Sequence, residues 1–347
     1  MEVIVPAAGL SSRFPGMKPK YLLYDYKHDL MLKNAIAIEP HLQYYNYKIT
    51  IGILKEHNDK YNAEMFIRND LPNVDVVVLD EPTKGPADTV YQIIKNSGKI
   101  NLFDDLLIKD CDSFFEHTVS KGNYVCTSNI ADHQILKRLA SKSFVIANDQ
   151  DIITNIIEKN VVSDTFCVGG YKFESVKMFM NAFEHLSAMT DEIFVSHVIQ
   201  HCLSNGHTFI RKNVSKYIDV GTAEDWFEYN DKPVIFCDID GTIIVSQSRY
   251  GKNNFHDKPI VLEENVKRIL EWQERGAQII FTTARPSEFR EVTSKMLHDL
   301  GFYNFILLIG LNATRRILIN DYNNANPYPR AEAINLKRDS DNLKDFI

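Results

Sequence analysis

The sequence predicts an α/β protein in two domains, each built on a mostly parallel sheet flanked by helices. Three observations carry this. Apolar runs of strand length alternate with helical segments along the chain, the order that builds βαβ units. Several runs end on acids or on a glycine turn, and ligands of such sheets bind beyond the strand carboxyl ends. A second series opens at Lys232-Pro-Val-Ile-Phe-Cys-Asp-Ile-Asp-Gly-Thr242 once a first is complete, and 347 residues leave room for both. The boundary is placed in the short polar linker Tyr229-Asn-Asp-Lys-Pro233, giving domains 1–230 and 231–347.

In the first domain, Val3-Ile-Val5 reads as a buried strand that runs into Pro6-Ala-Ala-Gly9-Leu-Ser-Ser-Arg13 and Lys18-Pro-Lys20. Small residues at 7, 8 and 9 let a ligand lie against the backbone. Ser11, Ser12 and the amides around them can hold phosphate oxygens, and Arg13 and Lys20 add two cations. Helical spacing covers Leu30 to Ile38 and Asn58 to Arg68. Ile49–Leu54 and Val74–Leu79 read as strands. A turn from Pro82 through Gly85 feeds a helix that runs to about Lys95. Leu106–Ile108 is a buried strand ending on Asp110-Cys-Asp112, acids that read either as turn caps or as ligand-binding groups. Tyr217-Ile-Asp219 is another strand ending on an acid, with Thr222 as the cap of the next helix.

The order PAAGLSSRF, PK-YLL, TKGPAD, LIKDCD, IIEK, VGGYKF and YIDVGTAEDW resembles the sugar-phosphate nucleotidyltransferases over about the first 225 residues. The resemblance implies a Rossmann-like sheet of the GT-A kind. It implies Ala8, Gly9, Ser11 and Gly85 around the nucleotide, Arg13 and Lys20 on its phosphates, and Mg2+ on Asp112 and Asp219. It also implies Glu158, Lys159 and Gly170 at a phosphorylated acceptor. Two departures leave the acceptor open. The first loop is less glycine-rich than the Gly-x-Gly form, and the Gly85 turn lacks a nearby glutamine. Members that act on choline phosphate or other phosphorylated alcohols share such sparser patterns, so a CTP-dependent cytidylyltransferase is an alternative.

In the second domain the strand Val234–Cys237 delivers Asp238 and Asp240. Carboxylates at that spacing repel unless a cation sits between them or one is protonated, and magnesium with a phosphate ligand is a common answer. A helix is expected over Ile260–Glu274, a strand over Gln278–Phe281 ending at Thr282-Thr283, and a helix over Glu288–Leu300. Strands are expected over Phe305–Ile309 and Arg315–Asp321. DxDGT, a strand-end threonine, a basic residue and a late aspartate resemble, in that order, the haloacid-dehalogenase-like (HAD-like) phosphatases. The spacing leaves little room for a large cap. The resemblance implies Asp238 as nucleophile, Asp240 as acid and base, Thr282 on the phosphoryl group and Arg315 or Arg316 neutralising it. Asp238, the Asp240 carbonyl and Asp321 would hold a second Mg2+.

Composition narrows the functional classes. Hydrophobic residues at 44% and charged residues at 24% fit a packed core. A net charge of −7 argues against a general nucleic-acid or acidic-membrane binder. The five scattered cysteines and the absence of a signal-like start or a membrane-length apolar run point to reduced thiols and the cytoplasm. The expectation is a bifunctional enzyme, with oligomers allowed. One half activates a sugar phosphate or similar metabolite with a nucleoside triphosphate. The other removes a phosphate in the same pathway, with surface-glycan or capsule precursors as the natural setting. The rival is a nucleotide or nucleic-acid 3′-end phosphatase with a non-catalytic first half.

Overall fold

The computed structural model describes residues 1–37, 47–133, 138–190, 192–246, 255, 258–320 and 331–346. The chain divides into two compact units, Met1–Asn230 and Asp231–Ile347. The first contains, in order, β1 (Glu2–Pro6), α1 (Met31–Ile36), β2 (Lys48–Leu54), α2 (Lys55–Tyr61), α3 (Ala63–Asp70), β3 (Val74–Leu79), α4 (Pro86–Ser97) and β4 (Leu106–Lys109). There follow β5 (Ser113–Glu116), β6 (Tyr124–Asn129), β7 (Phe144–Ala147), β8 (Ile153–Ile157), β9 (Thr165–Phe173), α5 (Val176–Ser187), α6 (Val195–Ser204), β10 (Ile210–Asn213), β11 (Ser215–Asp219) and α7 (Ala223–Asn230).

Nine of these strands form one sheet, ordered β10-β6-β9-β4-β1-β2-β3, with β7 on β8 and β9. The run β4-β1-β2-β3 is parallel, and β9 joins β4 and β6 antiparallel, so the sheet is mixed. The carboxyl ends of the parallel run bring the Pro6–Gly9 loop, the turn before α4 and Asp110–Asp112 to one edge. α4 lies so close to β2 that a Cβ on Gly52 would meet Ile93 at 2.3 Å. A short antiparallel ladder, β5 with β11, pairs Ser113 with Asp219. Thr222 caps α7, its hydroxyl accepting from the Asp225 amide at 3.3 Å.

One helix expected from the sequence is two. Asn62 takes a left-handed φ of 51° between α2 and α3, and the Asn58 side chain accepts from the Glu64 amide at 3.0 Å. The local hydrogen bond marks the break between the two helices, a competition that side chains such as Asn often win.

The second unit contains β12 (Val234–Asp238), α8 (Glu263–Glu274), β13 (Gln278–Thr282), α9 (Arg290–Asp299) and β14 (Ile306–Leu308), with the three strands parallel in that order. The strand expected over 315–321 is absent from its described part. Residues 315–320 are irregular and exposed, Ile319 at 90%. The run Ile317-Leu318-Ile319 has the composition of a strand, but among the described residues β12 pairs only with β13. A strand without a ladder leaves its backbone groups unpaired. Asp321 lies outside the described residues.

α8 is capped from a distance. Asp341 accepts from the Glu264 and Asn265 amides at 3.1 and 2.7 Å. The fully buried Asn265 side chain donates to the Thr242 and Ser340 carbonyls at 2.7 and 2.9 Å and accepts from the Leu343 amide at 2.8 Å. The chain around 340–343 is thereby fastened to the turn after Asp240. All five cysteines are free and buried. Among the described residues no helix is long and apolar enough to cross a membrane.

Two outcomes follow. Asn265→Ala removes the partner of three backbone groups, the Leu343 amide among them fully buried, and lowers the stability of the second unit by about 2–3 kcal/mol, read as a lower midpoint for its transition in urea. His117 is buried against the Tyr124 hydroxyl at 3.2 Å, and burial, with Lys212 and Lys109 nearby, pulls its pKa down to about 3. The unfolded chain therefore binds this proton first. The stabilisation is whole above about 6.5 and is lost as pH falls toward about 3, by up to about 1.4 kcal/mol per pH unit. His117→Phe should flatten the acid limb of a plot of Tm against pH.

Candidate functional site

In the first unit a cleft of about 560 Å3 opens at the carboxyl edge of the parallel strands. Ala8, Gly9, Arg13 and Lys20 line it near Asp112 and Asp219, and Lys142, Ser143, Glu158, Lys159 and Ser196 line the rest together with Gly85, which packs against Ile193. The β5–β11 ladder sets the floor, and the Val220 amide donates to the Asp112 carbonyl at 3.0 Å. The space that a Cβ on Gly221 would fill is bounded by Asp219 Oδ1 at 3.0 Å, Asp112 Oδ2 at 3.2 Å and Arg13 Nη1 at 3.4 Å. Two carboxylates and a guanidinium thus meet around one point.

Lysines counter the two acids. Lys20 Nζ lies 2.5 Å from Asp112 Oδ2, with Arg13 Nη2 at 3.5 Å. Burial pushes the Asp112 carboxyl up, but Lys20 and then Arg13 outweigh it and hold the carboxyl down at about 2. Lys142 Nζ donates to Asp219 Oδ2 at 2.6 Å and to the Tyr217 hydroxyl at 2.8 Å. Asp110 is different. Burial, reinforced by Asp112, raises it to about 7. Its backbone closes on Gly169, where φ is +88° and a Cβ would meet Asp110 Oδ2 at 2.5 Å, so that position requires glycine.

On the far side, the Glu158 carboxylate accepts from the hydroxyls of Ser143 and Ser196. The Lys159 amide donates to the Lys142 carbonyl at 3.1 Å, and its ammonium lies 4.0 Å over the Phe194 ring. Two expected positions are placed otherwise. Ser11 borders a separate hollow of about 280 Å3, and its hydroxyl accepts from the Lys20 amide at 3.1 Å, pinning the loop. Gly170 packs toward Phe115 and Cys126, where a Cβ would meet them at 2.8 and 2.9 Å, and its neighbour Gly169 borders the cleft. The pleat turns successive residues to opposite faces. Lys142, Ser143 and Ser196 escaped the sequence reading because no local motif marks them.

In the second unit Asp238 pairs in register with Thr282 at the carboxyl ends of β12 and β13. Burial raises the Asp238 carboxyl, and Arg316, 2.9 Å away, opposes that. The Thr282 hydroxyl turns back to the Cys237 carbonyl at 3.3 Å. Thr283, one residue on, donates to Asp240 Oδ2 at 3.1 Å. Asp240 is gripped on both oxygens by Arg285, which the sequence reading missed: Nε to Oδ2 at 2.9 Å and Nη2 to Oδ1 at 2.8 Å. Arg285 is 3% exposed, donates to Thr293 at 3.2 Å and lies 4.6 Å over the Phe255 ring. Arg315 is exposed.

The first unit's donors suit a hard divalent ion. Two carboxylates facing one space, with phosphate oxygens of a ligand to complete the shell, is a magnesium-type set. In the second unit the Asp240 carboxylate is taken up by Arg285, leaving Asp238 and a backbone carbonyl among the described residues. No cluster of three or more His, Cys, Asp or Glu suited to a metal occurs among them.

No family model matches this sequence. No curated protein matches it either. Solved structures do. A nucleoside-diphosphate-sugar pyrophosphorylase from Vibrio cholerae RC9 is similar with a TM-score of 0.56 and 16% identity, over 65% of this chain and 98% of its own. An inositol-1-phosphate CTP transferase from T. maritima matches with a TM-score of 0.52 and 16% identity, over 65% and 90%. A Bacillus anthracis protein described as a glucose-1-phosphate thymidylyltransferase, solved with a sucrose, matches with 0.53 and 18%, over 66% and 93%. The likeness falls on the N-terminal part and shows a shared nucleotidyltransferase-type fold there.

The floor geometry yields a test. Gly221→Ala puts a methyl between Asp112 and Asp219 at a backbone conformation that alanine tolerates. It should weaken Mn2+ binding by at least about tenfold, about 1.4 kcal/mol, in a titration followed by electron paramagnetic resonance, with Tm nearly unchanged.

Proposed function

We propose that the first unit transfers a nucleoside monophosphate from a nucleoside triphosphate to a phosphorylated sugar or a similar phosphorylated metabolite. The observation that carries this is the meeting of Asp112, Asp219 and Arg13 around one point, with Lys20 on Asp112, beyond the ends of parallel strands. An acceptor phosphate oxygen attacks the α-phosphorus, the bond to the β-phosphate breaks, and pyrophosphate leaves with its electron pair. The acceptor phosphate is already a nucleophile, so no base is required, and catalysis is alignment and charge neutralisation. Arg13 and Lys20 draw in the triphosphate and offset charge on the departing pyrophosphate. Ala8, Gly9 and Gly85 leave room for the nucleotide. Glu158, fixed by Ser143 and Ser196, is placed to accept hydroxyl hydrogen bonds from a polyol acceptor, and Lys159 is a cation for its phosphate. A magnesium ion held by Asp112 and Asp219 would neutralise phosphate oxygens when bound.

For the second unit the reading is a HAD-like phosphatase. Asp238 attacks phosphorus to give an aspartyl phosphate as the alcohol departs, and water then releases phosphate, with Asp240 handling protons. Arg316 cancels the repulsion between carboxylate and phosphate, and Thr282, or Thr283 whose hydroxyl reaches Asp240, serves the phosphoryl group. Asp238 with the Asp240 carbonyl and Asp321 would hold a second magnesium ion. A fused pair of this kind fits trimming of a bisphosphate followed by activation of the remaining phosphate, in the making of an activated glycan or capsule precursor.

The test is a matrix of nucleoside triphosphates against glucose 1-phosphate, inositol 1-phosphate and phosphocholine, scored by pyrophosphate release. A panel of sugar bisphosphates is scored by phosphate release. Asp112→Ala should lower pyrophosphate release at least about 100-fold, the scale of losing one charge-stabilising group, and spare phosphate release. Asp238→Asn should do the reverse. Loss of both activities by either change in a folded protein would overturn the two-site reading.

A further inference from the structure

Lys142 is the strongest cationic feature of the cleft that the proposed reaction leaves without a role. Its side chain is 10% exposed, and its ammonium lies against Asp219 and Tyr217, 5.6 and 5.4 Å from the centroids of the Phe166 and Tyr217 rings. Lys142 precedes β7, and its carbonyl accepts from the Lys159 amide. Its neighbour Ser143 holds Glu158. One short stretch therefore touches both the carboxylate floor and the acceptor side of the cleft.

Asp219 has two kinds of oxygen. Oδ1 faces the space shared with Asp112 and accepts from the Gly221 amide at 2.9 Å, and Oδ2 is held by Lys142. A positive charge 2.6 Å from one oxygen lowers the affinity of the carboxylate for any cation at the other. Lysine is a single charge on a flexible stem with three rotatable donors, so it can leave one anion for another without losing a paired geometry.

We propose that Lys142 competes with a divalent ion for Asp219, and that the displaced ammonium serves the phosphate of the acceptor. Lys142 thus couples metal occupancy of the floor to acceptor binding on the adjacent wall. The acceptor half of this rests on the nucleotidyltransferase reading; the competition at Asp219 does not.

Two measurements on the full-length protein test it. In the first, Mn2+ binding is titrated without nucleotide and followed by electron paramagnetic resonance. Lys142→Met should tighten binding about tenfold, and the same change in an Asp219→Asn background should have no effect, because the pair acts as a unit. Unchanged or weaker binding in Lys142→Met, or equal tightening in both backgrounds, overturns the competition. In the second, Lys142→Met should raise the KM for the acceptor about tenfold and leave that for the nucleotide within about twofold, and Lys142→Arg should restore most of the loss. Equal rises in both KM values overturn the acceptor role. Should Lys142→Met fail to fold, Lys142→Gln goes through the same titrations and is read by the same criteria. If the wild-type protein releases no pyrophosphate with any pair in the matrix, the transferase reading falls, and the Mn2+ titrations still decide the competition.

Discussion

The first unit is arranged around two carboxylates that ought to repel. Asp112 and Asp219 face the same small space, and the antiparallel ladder of β5 and β11 holds their backbones side by side. Like charges held this close in a partly buried site persist where cations neutralise them. Lys20 and Arg13 come from the loop after β1 and Lys142 from the residues before β7, so two distant stretches must converge on the ladder for the floor to be stable. The Arg13 loop is tied to the same floor through its own backbone, its carbonyl accepting from the Ala223 amide at 3.2 Å. The requirement that one side chain's charge be cancelled therefore shapes the loop, the ladder and the start of α7 together.

The parts of this arrangement that can be read in the sequence are those whose signal is local. A strand-length apolar run followed by an acid announces Asp112, Asp219 and Asp238, because apolar burial and the exposed tip are written in consecutive residues. The Arg13 and Lys20 loop is legible for the same reason. Lys142, Ser143 and Ser196 are not. Each is an ordinary polar residue in its own stretch and gains meaning only when β7, β8 and α6 come together through long-range pairing.

Other differences have equally specific causes. Thr282 and Thr283 are adjacent, and the phase of the pleat decides which hydroxyl reaches Asp240; composition carries no information about that phase. Gly169 and Gly170 differ in the same way. The break at Asn62 depends on the Asn58 side chain outbidding a helical hydrogen bond, which periodicity of apolar residues does not register. The run 317–319 shows the converse case, a strong strand composition without a partner ladder.

The two units counter their acids with different chemistry, and the difference has mechanistic weight. In the first, each carboxylate is held by a lysine through one oxygen, a contact that an incoming cation can replace. In the second, Asp240 is held through both oxygens by an arginine that is itself buried, bonded to Thr293 and stacked on Phe255. A planar guanidinium paired in this way is pre-organised and costly to remove. The lysine arrangement leaves acids free to exchange one positive partner for another, which suits a site that admits and releases polyanions. The arginine arrangement fixes a carboxylate in one orientation and in its ionised form. The neighbouring Asp238 meets the exposed Arg316 through one oxygen at 2.9 Å, so the carboxylate proposed as nucleophile is held by fewer side-chain contacts than Asp240.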